Sequence, residues 1–64
     1  MGIADRLIEA RGEIPRAKVC DDLGIAYSTL TMYELGKRVP RDEIKVKLAR
    51  YYGQSVESLF FAAS

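Results

Sequence analysis

Residues 16–33 read RAKVCDDLGIAYSTLTMY, and this stretch gives the strongest indication of the fold. Val19 and Leu23 lie one helical turn apart, so they share one face of a first helix. Gly24 follows, and a glycine accepts the left-handed backbone conformation that ends a helix. Ile25 is then expected to tuck into the core beneath the corner. The stretch therefore predicts two short helices packed across a tight turn.

The second helix of this pair is predicted over residues 27–35. Leu30 and Tyr33, three residues apart, form its inward face. Cys20 supplies a small side chain where the two helices must approach closely, and a buried free cysteine behaves as a small hydrophobe. We therefore favour packing over a redox-sensing role for Cys20. Two helices joined in this way form a helix-turn-helix, whose second helix usually lies in the major groove of DNA.

Composition limits the remaining possibilities. The chain has 64 residues, which predicts a single domain over residues 1–64 with a thin core, stabilised by self-association. One cysteine and no histidine predict no disulfide, no metal site and no cofactor. No apolar run reaches the roughly 18 residues of a membrane span, and charged residues interrupt the N-terminal apolar positions. We expect a soluble protein of the reducing cytoplasm that does not contact membranes.

Helical periodicity extends over nearly the whole chain, and alternation of period two is nowhere sustained. The sequence therefore predicts an all-α fold without strands. Glycines or prolines stand at the boundaries of the segments, and Ser55 is suited to cap the last one. The five predicted helices cover residues 3–11, 15–23, 27–35, 41–52 and 56–60.

The net charge of +1 is unevenly distributed along the chain. Residues 1–36 carry four basic and six acidic side chains, net −2, whereas residues 37–50 carry six and two, net +4. The basic segment begins directly after the second helix of the pair. One group lies where a phosphate backbone would pass: Lys37, Arg38 and Arg41. The other group fits phosphate contacts or a solvated helix face equally well: Lys45, Lys47 and Arg50.

Three segments together resemble a known family: LGIAYSTL at 23–30, YELGKRVPRDEIKVKLARYYG at 33–53, and SVESLFF at 55–61. In order and spacing they are similar to a stand-alone member of the Cro/cI-like, or Xre, group of phage-repressor helix-turn-helix proteins. The resemblance implies a compact five-helix, lambda-repressor-like DNA-binding domain without a sensing domain or small-molecule site. It further implies a homodimer on a double-stranded operator, acting as a transcriptional regulator and most often as a repressor.

The chain departs from the family pattern at the DNA-facing positions. Pro15 and Arg16 replace the common Ser/Thr and Gln at the start of the second helix, so we expect Arg16 to hold a phosphate as a cation. The exposed positions of the third helix carry no Gln, Asn, Arg or Lys, which removes bidentate base recognition. Base contacts are then left to hydroxyl and apolar groups: Tyr27, Ser28, Thr31 and Met32. Met32 as an idle surface residue stays an alternative, and Thr29 either binds a phosphate or bonds back to its own helix.

Two further expectations concern the fold and the assembly. Arg11 and Glu34 match positions where the family pairs Arg with Glu, so the resemblance implies a partly buried ion pair; two solvated charges are the alternative. Phe60 and Phe61 are consecutive, and one helix cannot turn both rings into the same small core. If Phe60 is buried, an exposed patch for a two-fold partner remains: Val56, Phe61 and Ala62. The alternative is that the Phe61 ring folds back on its own subunit.

An enzyme is not expected, because the chain has no histidine, no phosphate-cradling glycine loop and no paired carboxylates that it could hold in a cleft. Asp21 and Asp22 are adjacent on a helix and point in different directions, which favours a solvated helix end. A second possibility is a protein-binding module on the same fold, such as an antitoxin or an adaptor. The polar-poor third helix favours that possibility, whereas the basic loop after the third helix favours DNA.

Overall fold

The computed structural model describes residues 2–61, and within them the chain forms five helices and no strand. The all-α prediction is thus confirmed, and each predicted helix boundary lies within one residue of the observed one. The last element differs in kind, because it is a single π-helical turn. The helices are α1 (Ile3–Arg11), α2 (Arg16–Leu23), α3 (Tyr27–Glu34), α4 (Asp42–Tyr51) and α5 (Glu57–Phe61).

Each helix contributes one fully buried aliphatic side chain to a single core. These side chains are Leu7, Val19, Leu30, Leu48 and Leu59, in chain order. Burying one such side chain stabilises a fold by about 1.5–3 kcal/mol, so no helix is held by its own hydrogen bonds alone. Because α1 packs on α3 and α5, and α2 packs on α3, the core sits beneath α2 and α3, the recognition pair of the predicted helix-turn-helix, and fixes their geometry.

The turn between α2 and α3 has the conformation that the sequence predicted. Gly24 adopts a left-handed conformation with φ +70°, and the Ile25 amide donates to the Cys20 carbonyl at 3.0 Å. Ile25 is half-buried and packs against the core. Cys20 is buried, and this burial raises the pKa of its thiol. The packing role of Cys20 therefore agrees with the structure, since a buried thiol with a raised pKa is a poor nucleophile.

The chain reverses again at the end of α3. Gly36 has φ +74°, and its amide donates to the Tyr33 carbonyl at 3.1 Å. The Lys37 amide donates to the Met32 carbonyl at 3.0 Å, which completes a Schellman motif. Pro40 is buried. The loop between α3 and α4 is thus held by the Schellman motif at one end and by the buried Pro40 at the other. Its exposed cations therefore lie beside α3.

The C-terminal turn separates the two phenylalanines as the sequence predicted. The Ser55 hydroxyl accepts a hydrogen bond from the Ser58 amide at 2.9 Å, so Ser55 caps this turn. Phe60 is buried in the core, whereas Phe61 is 59% exposed. Val56 packs against the core and is half-buried. Ala62, expected in the same patch, lies outside the described residues.

Candidate nucleic-acid interface

A buried carboxylate lies at the end of the recognition helix α3. The Glu34 side chain is fully buried, and Arg11 contacts both of its oxygens, with Nε–Oε2 at 2.8 Å and Nη2–Oε1 at 3.1 Å. The Arg11 guanidinium also donates from Nη1 to the Ile14 carbonyl at 2.9 Å. The predicted ion pair is therefore confirmed, and its geometry is bidentate.

A second arginine joins the same carboxylate, which the sequence did not predict. Arg16 donates from Nε to Glu34 Oε1 at 2.8 Å, and its side chain remains 29% exposed. The neighbouring Glu34 carboxylate, and after it the Tyr27 phenol, raise the pKa of the Arg16 guanidinium. Eighteen residues separate Arg16 from Glu34, so no local spacing signals this contact.

The exposed face of α3 carries the four residues predicted to contact bases. Tyr27 and Ser28, in its first turn, are exposed, while Thr31 and Met32 are half-buried. The Thr31 hydroxyl donates to the Tyr27 carbonyl at 2.9 Å. Back-bonding to the helix thus occurs at Thr31, whereas the sequence considered it for Thr29. Because its hydrogen is directed at the backbone, Thr31 is left to accept hydrogen bonds from a ligand.

A surface groove of about 280 Å³ runs between α3 and the loop that follows it. It brings together three of the residues predicted to contact phosphate, one from α3 and two from the loop: Thr29, Arg38 and Arg41. The remaining lining residues are Ile25, Ala26, Tyr33, Glu43 and Ile44. Lys37 and Arg16 lie outside this groove. The charged and polar side chains of this concave surface are two guanidinium groups, one carboxylate and two hydroxyls. The net charge of the groove is therefore +1, which suits a phosphodiester.

The cations of the loop are available to a ligand. Lys37, Arg38 and Arg41 are all exposed, and within residues 2–61 none of them has an ion-pair partner. The cations of α4 divide into two kinds. Lys47 and Arg50 are exposed, as expected for a solvated helix face.

Lys45 matches neither alternative considered for it from the sequence. Only 12% of its side chain is exposed, and its Nζ lies 3.9 Å from Asp42 Oδ1. The same Nζ lies 4.6 Å from the centroid of the Phe61 ring and 5.8 Å from that of Phe60. Lys45 therefore packs α4 against the C-terminal turn, and its ammonium is directed neither at a phosphate site nor at solvent.

Asp22 is exposed at the end of α2, as expected, and it also makes a contact that the sequence did not predict. Although Asp21 is an exposed helix-end residue as predicted, Asp22 Oδ2 accepts a hydrogen bond from the Tyr51 hydroxyl at 2.6 Å. Lys18 Nζ lies 3.2 Å from the same oxygen. The Tyr51 hydrogen bond, and after it the Lys18 contact, lower the pKa of Asp22. Asp22 thus ties α2 to α4 and holds the recognition pair on the core.

Other kinds of site find no support in the part of the chain that the structure describes. Residues 2–61 contain no group of three or more His, Cys, Asp or Glu side chains placed to hold a metal ion. Over the same residues, every helix is too short or too polar to cross a membrane.

Comparison with known proteins assigns the chain to a family. No curated protein matches it. The sequence model of the family described as helix-turn-helix matches residues 7–59, from the middle of α1 into α5. The match includes α2, Gly24 and α3, which carry the motif, and the basic loop that follows. The chain therefore belongs to the Cro/cI-type, Xre-like helix-turn-helix family, whose domains serve as DNA-binding regulators.

Proposed function

We propose that this domain is a sequence-specific transcriptional repressor of the cytoplasm, which places α3 in the major groove of an operator as a homodimer. The observation that carries the proposal is the groove between α3 and its following loop. There, Thr29, Arg38 and Arg41 line one concave surface directly beside α3, and we propose that this surface holds the phosphate backbone.

The backbone contacts follow from charge and exposure. Residues 37–50 carry a net charge of +4, and the loop cations Lys37, Arg38 and Arg41 are exposed. Each phosphate neutralised on duplex DNA releases condensed counterions, which steepens the dependence of log K on log salt by about 0.9. Arg16, exposed in part at the start of α2, supplies a further cation. This surface would orient the domain on DNA without reading its sequence.

The base contacts would come from the first half of α3. Ser28 can donate or accept a hydrogen bond, and Thr31 is left mainly as an acceptor by its bond to the helix backbone. Tyr27 and Met32 present apolar surface that suits thymine methyl groups. Because none of these side chains makes a bidentate base contact, we expect modest discrimination at each base pair, with about 1–3 kcal/mol for each mismatch.

The homodimer is supported by the size of the domain and by one exposed ring. The Cα atoms of the described residues extend over 30 Å, whereas the two half-sites that the family resemblance implies lie about 34 Å apart, so a second copy is needed to reach the second half-site. Phe61 is exposed, with its ring centroid 4.6 Å from Lys45 Nζ, and Val56, earlier in the same segment, is half-buried. We propose that Val56, Phe61 and Ala62 contact their two-fold equivalents.

The test begins by selecting bound fragments from a random DNA pool, followed by salt titrations on the selected and on a random duplex. Lys37→Ala and Arg38→Ala should weaken binding to both duplexes and lower the salt slope by about one unit per contact. Thr31→Ala and Met32→Ala should weaken binding to the selected duplex, by about 1–3 kcal/mol, and leave the random duplex nearly unchanged. Lys47→Ala, an exposed cation on α4, serves as the charge-matched control.

Two outcomes would contradict parts of the proposal. If the α3 variants weaken both duplexes equally, sequence discrimination comes from DNA shape or from the loop instead. If the wild-type domain shows no salt-dependent affinity for any duplex, the protein-binding alternative, an antitoxin or adaptor, takes its place. The exposed apolar side chains of Leu35 and Val39, close to the basic loop, would then be the first candidates for a partner contact.

A further inference from the structure

The two arginines on Glu34 are held differently. Arg11 engages Nε and Nη2 with the carboxylate and Nη1 with the Ile14 carbonyl, and only 16% of its side chain is exposed. Arg16 gives the carboxylate Nε alone and is 29% exposed. A guanidinium has five N–H donors, four of them on the two Nη nitrogens. Arg11 therefore uses all three of its nitrogens for hydrogen bonds within the fold, whereas Arg16 uses only Nε.

Arg16 lies at the start of α2, and its guanidinium is close to the first residue of the recognition helix α3. Arg16 is the first residue of α2 and Tyr27 the first residue of α3, so both lie at N-terminal helix ends, where the helix dipoles favour an anion. The Tyr27 phenol interacts with the Arg16 guanidinium. Two arginines share one buried carboxylate, which leaves the cluster with a net charge of +1 that only the exposed arginine can offer to a ligand.

We propose that Glu34 is a positioning residue for DNA: by holding Nε of Arg16 at 2.8 Å, it fixes this guanidinium so that its Nη nitrogens bind one phosphate of the DNA backbone. This inference rests on the proposed function and deepens it, since it names a buried residue that acts through another. Glu34 itself touches no DNA.

The physical reason lies in side-chain entropy and in the shape of the guanidinium. A free surface arginine loses rotamer freedom when it binds a phosphate, which reduces the affinity gained. The bond to Glu34 removes most of that freedom before DNA arrives. An arginine can bind both anions at once, because Nε and the outer Nη pair direct their N–H groups from different edges of one rigid planar group. A lysine ammonium is a single point charge, and one drawn toward Glu34 would be withdrawn from the phosphate.

The experiment compares two conservative substitutions, Arg16→Lys and Arg50→Lys, by salt titration of affinity for a random duplex. Both variants keep the net charge, but Arg50 is exposed on α4, lies outside the proposed phosphate contacts, has no ion-pair partner within residues 2–61 and serves as the matched control. We expect Arg16→Lys to weaken binding about tenfold and to lower the salt slope by about one unit. We expect Arg50→Lys to change the affinity by less than about threefold.

A second arm tests the role of Glu34 directly. Arg16→Ala is measured in the wild-type and in the Glu34→Gln background, at a temperature where circular dichroism shows each variant folded. Arg16→Ala should weaken binding about tenfold in the first background and less than about threefold in the second, because Arg16 is already unfixed there. A merely structural Glu34 would leave the effect of Arg16→Ala the same in both.

The outcomes separate the inference from the proposed function. Equal effects of Arg16→Lys and Arg50→Lys, in a domain whose wild type binds DNA, would overturn the inference and leave the proposed function intact. A wild-type domain that binds no duplex would overturn both. If Glu34→Gln does not fold at any temperature, the comparison of the two lysine variants decides alone.

Discussion

Substituting Glu34 with glutamine should destabilise the domain more than any other single exchange of a charged side chain. Glu34 accepts three hydrogen bonds from cations, two from Arg11 and one from Arg16, and its side chain has no solvent exposure. Glutamine has nearly the same shape but only one acceptor oxygen. Its amide group would direct N–H donors at guanidinium N–H donors, and two positive charges would lose their counter-ion.

The expected loss can be estimated from the burial of the partners. Removing one partner of a buried ion pair costs about 3–5 kcal/mol. Arg11 and Arg16 are 16% and 29% exposed, so water can partly solvate them after the exchange. The expected loss of stability is therefore at the lower end of that range, about 3 kcal/mol. A chain of 64 residues has a total stability of roughly 3–10 kcal/mol. The melting temperature should therefore fall by about 12–24 °C.

Thermal and urea unfolding, followed by far-ultraviolet circular dichroism, measure this loss. Asp21→Asn is the control, because it removes the same charge from an exposed position without a partner among residues 2–61, and it should change stability by less than about 0.5 kcal/mol. If Glu34→Gln and Asp21→Asn have the same melting temperature, the predicted loss is wrong, since the Glu34 carboxylate would then contribute no more to stability than a surface charge.

The other predictions concern assembly and pH. Phe61→Asp should give a folded monomer with weakened operator affinity; sedimentation that still shows a dimer would remove this ring from the interface. Tyr52→Phe should keep or raise stability by up to about 1 kcal/mol, because the buried Tyr52 hydroxyl has no hydrogen-bond partner within residues 2–61. Burial raises the pKa of Tyr52 to about 12, so the wild type should lose stability as pH rises from about 10, and the phenylalanine variant should lose less. Tyr51→Phe should weaken the pH dependence of stability in acid. The lowered pKa of Asp22 stabilises the fold above about pH 4, and this contribution disappears as pH falls. Urea midpoints measured across pH test both.

The helical framework was predictable because its signals are local. Gly24 and Gly36 end α2 and α3 at positive φ, as expected of glycines that follow an apolar helical pattern. Inward residues such as Leu30 and Tyr33 follow from a spacing within one turn or two. Consequently, helix boundaries agree within one residue, and the separation of Phe60 from Phe61 follows from their adjacency alone.

The candidate site was predictable only in part. The exposed face of α3 and the basic loop follow from helix register and charge, but their meeting in one groove depends on how α3 and α4 pack. The sequence treated Arg16 as a phosphate contact and Lys45 as a phosphate contact or a solvated residue. The structure places Arg16 on Glu34 and Lys45 against Phe61, and the charge pattern alone revealed neither contact. The phosphate contact of Arg16 stays a prediction.

The sequence by itself determined the number, order and limits of the helices, the turn between α2 and α3, and the family to which the domain belongs. These features depend on backbone preferences and on a periodicity read over a few neighbouring residues. Only the tertiary structure decided the bonds between Arg16 and Glu34, and between Tyr51 and Asp22, which are 18 and 29 residues apart. Such contacts require three helices to pack at fixed angles first, because a long polar side chain has several possible partners until the core holds one of them within hydrogen-bonding distance.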